Sequence, residues 1–237
     1  LERARAYMLE VFGVAPAGLW PSEGSVSDHA LALAHDAGFT WAASDNGVLG
    51  RTLSRDPGVD VTYKPYVWRQ SGREMRMIFR DHYLSDLIGF EYARMNAADA
   101  ANHFLDRIRH NSAGREALVP IILDGENAWE YYEANGRPFL RELYRRISED
   151  PNLEALTVSE ALAKFEAEPL QGIFPGSWIN ANFDIWIGAE EDNEAWRHLL
   201  AARRAYDETP DVSENARRLA FEELLIAEGS DWNWGYG

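Results

Sequence analysis

Two acidic residues stand out for the company they keep. Asp124 closes the most apolar run in the chain, Leu118-Val119-Pro120-Ile121-Ile122-Leu123, and is followed by Glu126 and Trp129. Glu23 sits among Ser22, Gly24 and Ser25, small residues that leave room for a ligand. Cleaving a glycosidic bond takes two such carboxyl groups, one on each side of the bond; in the retaining version they stand ~5–5.5 Å apart, one as nucleophile and one as proton donor. Apolar surroundings and the like charge of Glu126 favour a protonated Asp124, the state a general acid needs. The two acids are remote in sequence, so only the fold can bring them together. By residue type alone both read more readily as turn or helix-capping acids.

The aromatic residues add a second signal. The chain has nine Trp, ten Tyr and ten Phe, and such side chains either build a core or line a cleft. Trp20, Trp129, Trp178, Trp186, Trp232 and Trp234 lie beside carboxylates or amides, outside clean amphipathic patterns. Trp41, Trp68 and Trp196 read as packing residues. Indole faces stack on the C–H faces of sugars, while Asp, Asn and Arg hydrogen-bond their hydroxyls. Trp178, Asn180, Asn182 and Trp186 interleave the two types in that way, and Asp231 with Trp232 repeats the arrangement. For Trp178 and Trp186 core packing is an equal alternative. Asp45, Arg80, Asp81 and His82 are secondary candidates for ligand contact; Arg80 with Asp81 also reads as an ion pair, and His82 as a core histidine.

The elements that would position these residues alternate between strand and helix. Leu1, Ala4, Met8, Val11 and Phe12 recur at helical spacing and stop at Gly13. Ala17 to Pro21 is a short apolar segment. Ser27 caps a helix to about Ala37. Phe39–Ala43, Val61–Trp68, Met75–Phe79 and Leu118–Leu123 read as strands, and residues 50–60 as a loop. Ala97, Ala101, Phe104, Leu105 and Ile108 mark a long helix, Phe139–Ile147 another, and Thr157 to Glu160 a cap. Apolar strands separated by helices predict a parallel α/β architecture. In a β/α barrel reactive residues sit at the C-terminal ends of strands, and Glu23, Asp45, Asp81 and Asp124 each follow one. The pattern divides into 1–168, a barrel portion holding the carboxylates, and 169–237, an aromatic loop and two amphipathic helices that complete the cleft.

Composition excludes several alternatives. Of 237 residues, 46% are hydrophobic, which rules out a disordered chain. A net charge of −16 without a local Lys/Arg cluster argues against nucleic acid and anionic membrane partners. No apolar run approaches the roughly 20 residues of a membrane span, and no signal peptide is evident. The absence of cysteine excludes disulfides and fits a cytosolic protein as well as a secreted one. The six histidines fall in no metal-binding spacing, and neither phosphate-binding glycine loops nor a serine-hydrolase motif occurs. No metal or cofactor is therefore expected. The chain opens on Leu1 and enters a helical pattern at once, so it reads as a piece of a longer protein.

Several of these motifs together resemble glycoside hydrolase family 57, in its α-amylase and amylopullulanase-like branch. Leu19-Trp20-Pro21-Ser22-Glu23 is similar to the family's third conserved region, whose Glu is the nucleophile. Leu123-Asp124-Gly125-Glu126-Asn127-Ala128-Trp129-Glu130 is similar to the fourth, whose Asp is the acid/base. Residues 227–237, ending Asp231-Trp232-Asn233-Trp234-Gly235-Tyr236-Gly237, resemble the fifth, which contributes to substrate binding. Gly176-Ser177-Trp178-Ile179-Asn180 and Trp186-Ile187-Gly188 resemble further segments of the same branch. The resemblance implies an incomplete (β/α)7-type barrel followed by a helical subdomain, acting on α-glucans with retention. The family's first two regions, with a His-Gln-Pro and a second Glu, are expected in an N-terminal remainder of the catalytic domain. Asn233 and Gly235 stand where bulkier aromatics are expected. Three alternatives accompany this reading: a 4-α-glucanotransferase or branching enzyme, a catalytically inactive carbohydrate-binding chain, and a metal-dependent carbohydrate esterase.

Overall fold

A computed structural model describes residues 1–125, 129–209 and 211–229. The chain falls into two compact units, Leu1–Ala181 and Asn182–Gly237. The first holds a five-stranded sheet of β1 (Gly18–Leu19), β2 (Trp41–Asp45), β3 (Tyr66–Gln70), β4 (Arg73–Arg80) and β5 (Glu168–Leu170), in the order β1-β2-β4-β3-β5. Its helices are α1 (Glu2–Phe12), α2 (Asp28–Asp36), α3 (Asn46–Leu53), α4 (Val59–Thr62), α5 (His82–Asp86), α6 (Ala97–Ser112), α7 (Arg137–Glu149) and α8 (Val158–Lys164). The second unit contributes α9 (Glu190–Glu208) and α10 (Glu214–Ala227), where Tyr206 and Phe221 meet at 5.8 Å and Arg217 lies over the Tyr206 ring.

Local chemistry accounts for most boundaries. Gly13 closes α1 in the left-handed conformation, and the Ser27 hydroxyl accepts from Ala30 N–H to open α2. Thr157 and Glu160 form a reciprocal capping box on α8. Asp45 is at once the last residue of β2 and the cap of α3, its carboxylate accepting from Gly47 N–H at 2.9 Å. Every β2 residue pairs with β4 in parallel register, ending at Asp45 beside Arg80.

The structure corrects the expected elements in three places. The sheet is mixed: β3 and β4 are antiparallel, joined through Ser71 and Gly72, both at positive φ, as a two-residue hairpin turn requires. Residues 50–60 are not all loop and Val61–Trp68 is not all strand, because α3 continues to Leu53, α4 takes Val61 and Thr62, and β3 begins only at Tyr66. Leu118–Leu123 is not a strand: among the described residues it joins no ladder. Pro120 has no N–H to offer, and the segment bonds instead to scattered partners: Leu118 N–H to the Tyr63 carbonyl (3.2 Å), Asp81 N–H to the Pro120 carbonyl (2.9 Å), and Ile122 N–H to the Ser85 hydroxyl (3.2 Å).

That segment is nevertheless apolar on both faces, as its composition predicts. Leu118 and Ile122 pack against the buried trio Ala43, Ile78 and Leu162, whereas Val119, Ile121 and Leu123 join the core around Tyr63, Leu84, Phe104 and Phe139. The main core lies between the sheet and α2, with Leu31, Ala34, Trp68, Met77 and Phe79 at its centre. The apolar stripe of α1 stays exposed; none of its residues is buried.

Gly18 tests the packing at the sheet edge. The Trp41 indole lies so close over it that an added Cβ would come within 1.8–2.2 Å of ring atoms. Gly18→Ala should therefore destabilise the fold by about 1–3 kcal/mol, the usual range for overpacking. Chemical denaturation measures this, and a midpoint equal to the wild type would contradict the packing described.

Candidate active site

Glu23 follows β1 in a short turn, Ser22–Gly24, and its backbone is in the left-handed region, φ 57° and ψ 22°. A non-glycine residue there costs roughly 1–2 kcal/mol, so its surroundings must hold it. They do so on several sides. Trp178 N–H donates to the Glu23 carbonyl at 3.0 Å, and the Ser44 hydroxyl donates to the Gly24 carbonyl at 2.7 Å. Val26 and Gly176 exchange both backbone hydrogen bonds. Gly24 is also at positive φ, and the Trp20 ring covers it closely enough that a Cβ would lie 2.8 Å from Cη2. Strain sustained this way is concentrated at functional positions.

The Glu23 side chain is held as firmly. The Trp178 indole N–H donates to Glu23 Oε2 at 2.6 Å. Trp20 meets the same indole edge to face, with centroids 5.4 Å apart. On the Trp178 ring lies the Arg80 guanidinium, 5.1 Å from its centroid. Glu23, Trp178, Trp20 and Arg80 are thus one contact chain.

Arg80 ends β4 and is only 4% exposed. Its Nε donates to the Ile122 carbonyl (2.9 Å), Nη1 to Asp45 Oδ2 (3.3 Å) and Nη2 to Asp86 Oδ1 (2.6 Å). The ion pair is therefore with Asp45 and Asp86, not with its neighbour Asp81. Asp81 turns inward, accepting from the Tyr63 hydroxyl at 2.7 Å and capping α5 through Leu84 N–H at 2.8 Å. Burial, followed by the bond to Asp81, pushes the Tyr63 hydroxyl well above the ordinary phenol range.

His82 is no core histidine: its side chain is 51% exposed. Its ring bridges Asp45 Oδ2 (3.2 Å, from Nδ1) and Asp86 Oδ2 (2.9 Å, from Nε2). Hydrogen bonds to Asp45 and then Asp86 outweigh partial burial and push its pKa up to about 10. For Asp86, burial raises the pKa, but bonds from His82 and Arg80 prevail and hold it below the usual carboxylate range. Sequence reasoning missed Asp86, although its spacing of four from His82 on α5 was the available signal.

Asp124 is half-buried and follows the two-faced segment 118–123. Ile122, two residues before it, packs with Trp20 against Ala43, Ile78 and Leu162. Arg80 reaches the Ile122 carbonyl as well, so the arms carrying Glu23 and Asp124 share both an apolar platform and a polar tie. Trp129 belongs to the core, with its ring 5.4 Å from that of Tyr132. Asn180 is exposed at positive φ. In the second unit Trp186 is buried, and its carbonyl accepts from the Trp196 indole at 2.7 Å. Glu126, Asp231, Trp232 and Trp234 lie outside the described residues. An apolar depression of about 240 Å³ beside Trp20 and Pro21, lined also by Leu31, Leu33 and Ala34, contains neither acid. Among the described residues no group of three or more His, Asp or Glu could hold a metal ion, and no helix is long and apolar enough to cross a membrane.

The bridging histidine gives a pH dependence of known sign. A pKa raised from the ordinary 6.5 to about 10 means that folding favours the imidazolium. Its contribution to stability is complete below about pH 6.5, declines between 6.5 and 10, and is gone above. The depressed Asp86 adds the opposite limb, lost as acid protonates it. Imidazole NMR resonances should titrate His82 near 10 and return it toward the ordinary range in Asp45→Asn; a midpoint near 6.5 in the wild type would overturn the bridge.

Comparison with known proteins places this architecture. The family model of glycosyl hydrolase family 57 matches residues 1–173. No curated protein matches the chain by sequence. Among solved structures, a family 57-type branching enzyme from Pyrococcus horikoshii superimposes with a TM-score of 0.75 at 14% identity, covering 99% of this chain and 55% of the other. An α-amylase from Thermotoga maritima gives 0.74 at 17% identity, covering 100% and 57%. A 4-α-glucanotransferase from Thermococcus litoralis gives 0.61 at 16% identity, covering 88% of this chain and 32% of the other. The chain thus spans a third to little more than half the length of these neighbours. Its mixed α/β sheet matches part of their (β/α)7-type barrel, and the chain belongs to glycosyl hydrolase family 57.

Proposed function

We propose that this chain carries the catalytic carboxylates of an enzyme that cleaves α-glucans with retention, Glu23 acting as nucleophile and Asp124 as acid/base. The observation that carries the reading is the built state of Glu23: a left-handed residue at a strand end, clamped by backbone bonds and with one carboxylate oxygen fixed by an indole N–H. Family membership and the names of the neighbouring structures, an α-amylase, a branching enzyme and a 4-α-glucanotransferase, support the substrate class.

The chemistry follows from these roles. With Oε2 oriented by Trp178, Oε1 attacks the anomeric carbon of an α-glucoside while Asp124 gives its proton to the departing glycosidic oxygen. The product is a β-linked glucosyl ester on Glu23. Asp124, now ionised, takes a proton from water as it attacks the same carbon, which frees Glu23 and restores the α configuration. Trp20 and Trp178 offer an aromatic wall for sugar C–H faces beside the nucleophile. His82 and Asn180 and, beyond the described residues, Glu126, Asp231, Trp232 and Trp234 are the further proposed substrate contacts, whereas Asp45, buried and engaged by Gly47, Arg80 and His82, and Trp129, packed on the core, serve the scaffold. Interception of the ester by a sugar hydroxyl instead of water gives transfer or branching, the activities named for two neighbours.

Glu23→Gln and Asp124→Asn should each lower turnover of starch or maltoheptaose by about 10³-fold or more. Activity within a few-fold of wild type would remove the variant residue from its assigned role. Proton NMR of the first product should show the α-anomer; a β-anomer would mean inversion. Saccharide binding without turnover in the wild-type chain would favour the inactive carbohydrate-binding reading.

A further inference from the structure

Among the described residues, Arg80 is the side chain that the geometry singles out after the two acids. Its guanidinium is buried at 4% exposure, its Nε, Nη1 and Nη2 each donate to a protein acceptor, and it lies over the Trp178 ring, 5.1 Å from the centroid. A group so enclosed is poorly placed to contact a glucan. Its neighbours are instead the supports of both acids. On one side it makes a cation–π contact with the indole whose N–H fixes Glu23 Oε2. On the other it holds the Ile122 carbonyl, two residues before Asp124. Asp45 and Asp86 balance its charge and fix its plane from β2 and α5.

We propose that Arg80 is a positioning residue that sets the separation of the two carboxylates, acting through Trp178 on Glu23 and through the Ile122 carbonyl on Asp124. The inference rests on Glu23 and Asp124 being the reacting pair. A planar guanidinium suits this task because it can stack on a ring and donate in three in-plane directions together. Lysine has a point charge and no plane. The cation over the ring also draws density from the indole, which strengthens its N–H as a donor. An error of about 1 Å in the placement of reacting groups costs about 10²-fold in rate, so a residue that never touches substrate can govern turnover.

The test uses the full chain, labelled with nitrogen-15 and carbon-13, as wild type and as Arg80→Met, Arg80→Lys, Asp86→Asn and Trp178→Phe. Loss of one signal in Trp178→Phe identifies the Trp178 indole N–H. In Arg80→Met that signal should shift and exchange with solvent at least tenfold faster. The Ile122 carbonyl resonance should move as well, while the Trp196 indole stays in place. With maltoheptaose, Arg80→Met should lose about 10²-fold in kcat with KM within about twofold, Arg80→Lys should not restore it, and the double variant with Trp178→Phe should be no worse than the poorer single one. An unmoved indole signal, movement of only one of the two arms, or a loss confined to KM would overturn the proposal. If the wild type turns over no glucan, the glycosidase reading fails while the two resonances still decide the positioning role. If Arg80→Met does not fold, Asp86→Asn, which loosens the same guanidinium, carries the same readouts with smaller shifts in the same direction.

Discussion

A buried guanidinium must be satisfied on every side, because an arginine cannot shed its charge and an unpaired one inside a protein costs several kcal/mol. At the end of β4 that requirement dictates much of the surrounding structure. It explains why Asp45, at the matching position of β2, is buried, and why α5 begins where it does, carrying Asp86 back to Arg80. It also gives Leu118–Leu123 a polar anchor, since the segment has no ladder partner to take up its Ile122 carbonyl. Charge balance is completed by His82: two cations and two carboxylates form a cluster with no net charge.

The left-handed Glu23 is the second constraint, and it is linked to the first. A strained residue persists only where its neighbours over-determine it. Trp178 supplies both a backbone and a side-chain donor to Glu23, and Trp178 is itself in contact with both Trp20 and Arg80. Relaxing Glu23 would therefore require the aromatic pair and the buried cation to move together. Such coupling makes the position of Glu23, the proposed nucleophile, a property of the whole sheet end and not of the turn Ser22–Gly24 alone.

What could be read from the sequence follows from the range of each interaction. Ser27, Thr157 with Glu160, and Gly13 act within a few residues, and the helices they bound were legible. The two-sided burial of 118–123 was legible from composition, but its failure to pair was not, because it depends on what Tyr63, Ser85 and Asp81 offer from elsewhere. The antiparallel turn at Ser71 and Gly72 was a local signal left unused. Arg80 and Asp81 read naturally as a pair, yet Arg80 ends β4 while Asp81 turns away to cap α5, and each found its partners at other elements. Trp178 was legible as an aromatic near amides, while its bond to Glu23 spans 155 positions and no local pattern encodes it.

Electrostatics connect these arrangements to the kind of ligand the site suits. The chain carries a formal charge of −16, but at physiological salt charges more than about 8 Å apart are largely screened, so the local balance matters more. Arg80, His82, Asp45 and Asp86 cancel one another, which leaves the proposed pair of acids to set the field at the reacting centre. A phosphorylated or carboxylated sugar would meet repulsion there and, among the described residues, find neither Arg80, which is enclosed, nor His82, which is engaged by two carboxylates, free to offset it. A neutral saccharide meets neither difficulty. Recognition of such a saccharide, the proposed substrate, would rest on stacking and hydroxyl hydrogen bonds, which are weak singly and add along a chain of repeating units. In the proposed reaction the same neutrality would leave the positive charge developing at the anomeric carbon to be stabilised chiefly by Glu23, so the one carboxylate oriented by Trp178 would serve as both electrostatic partner and nucleophile.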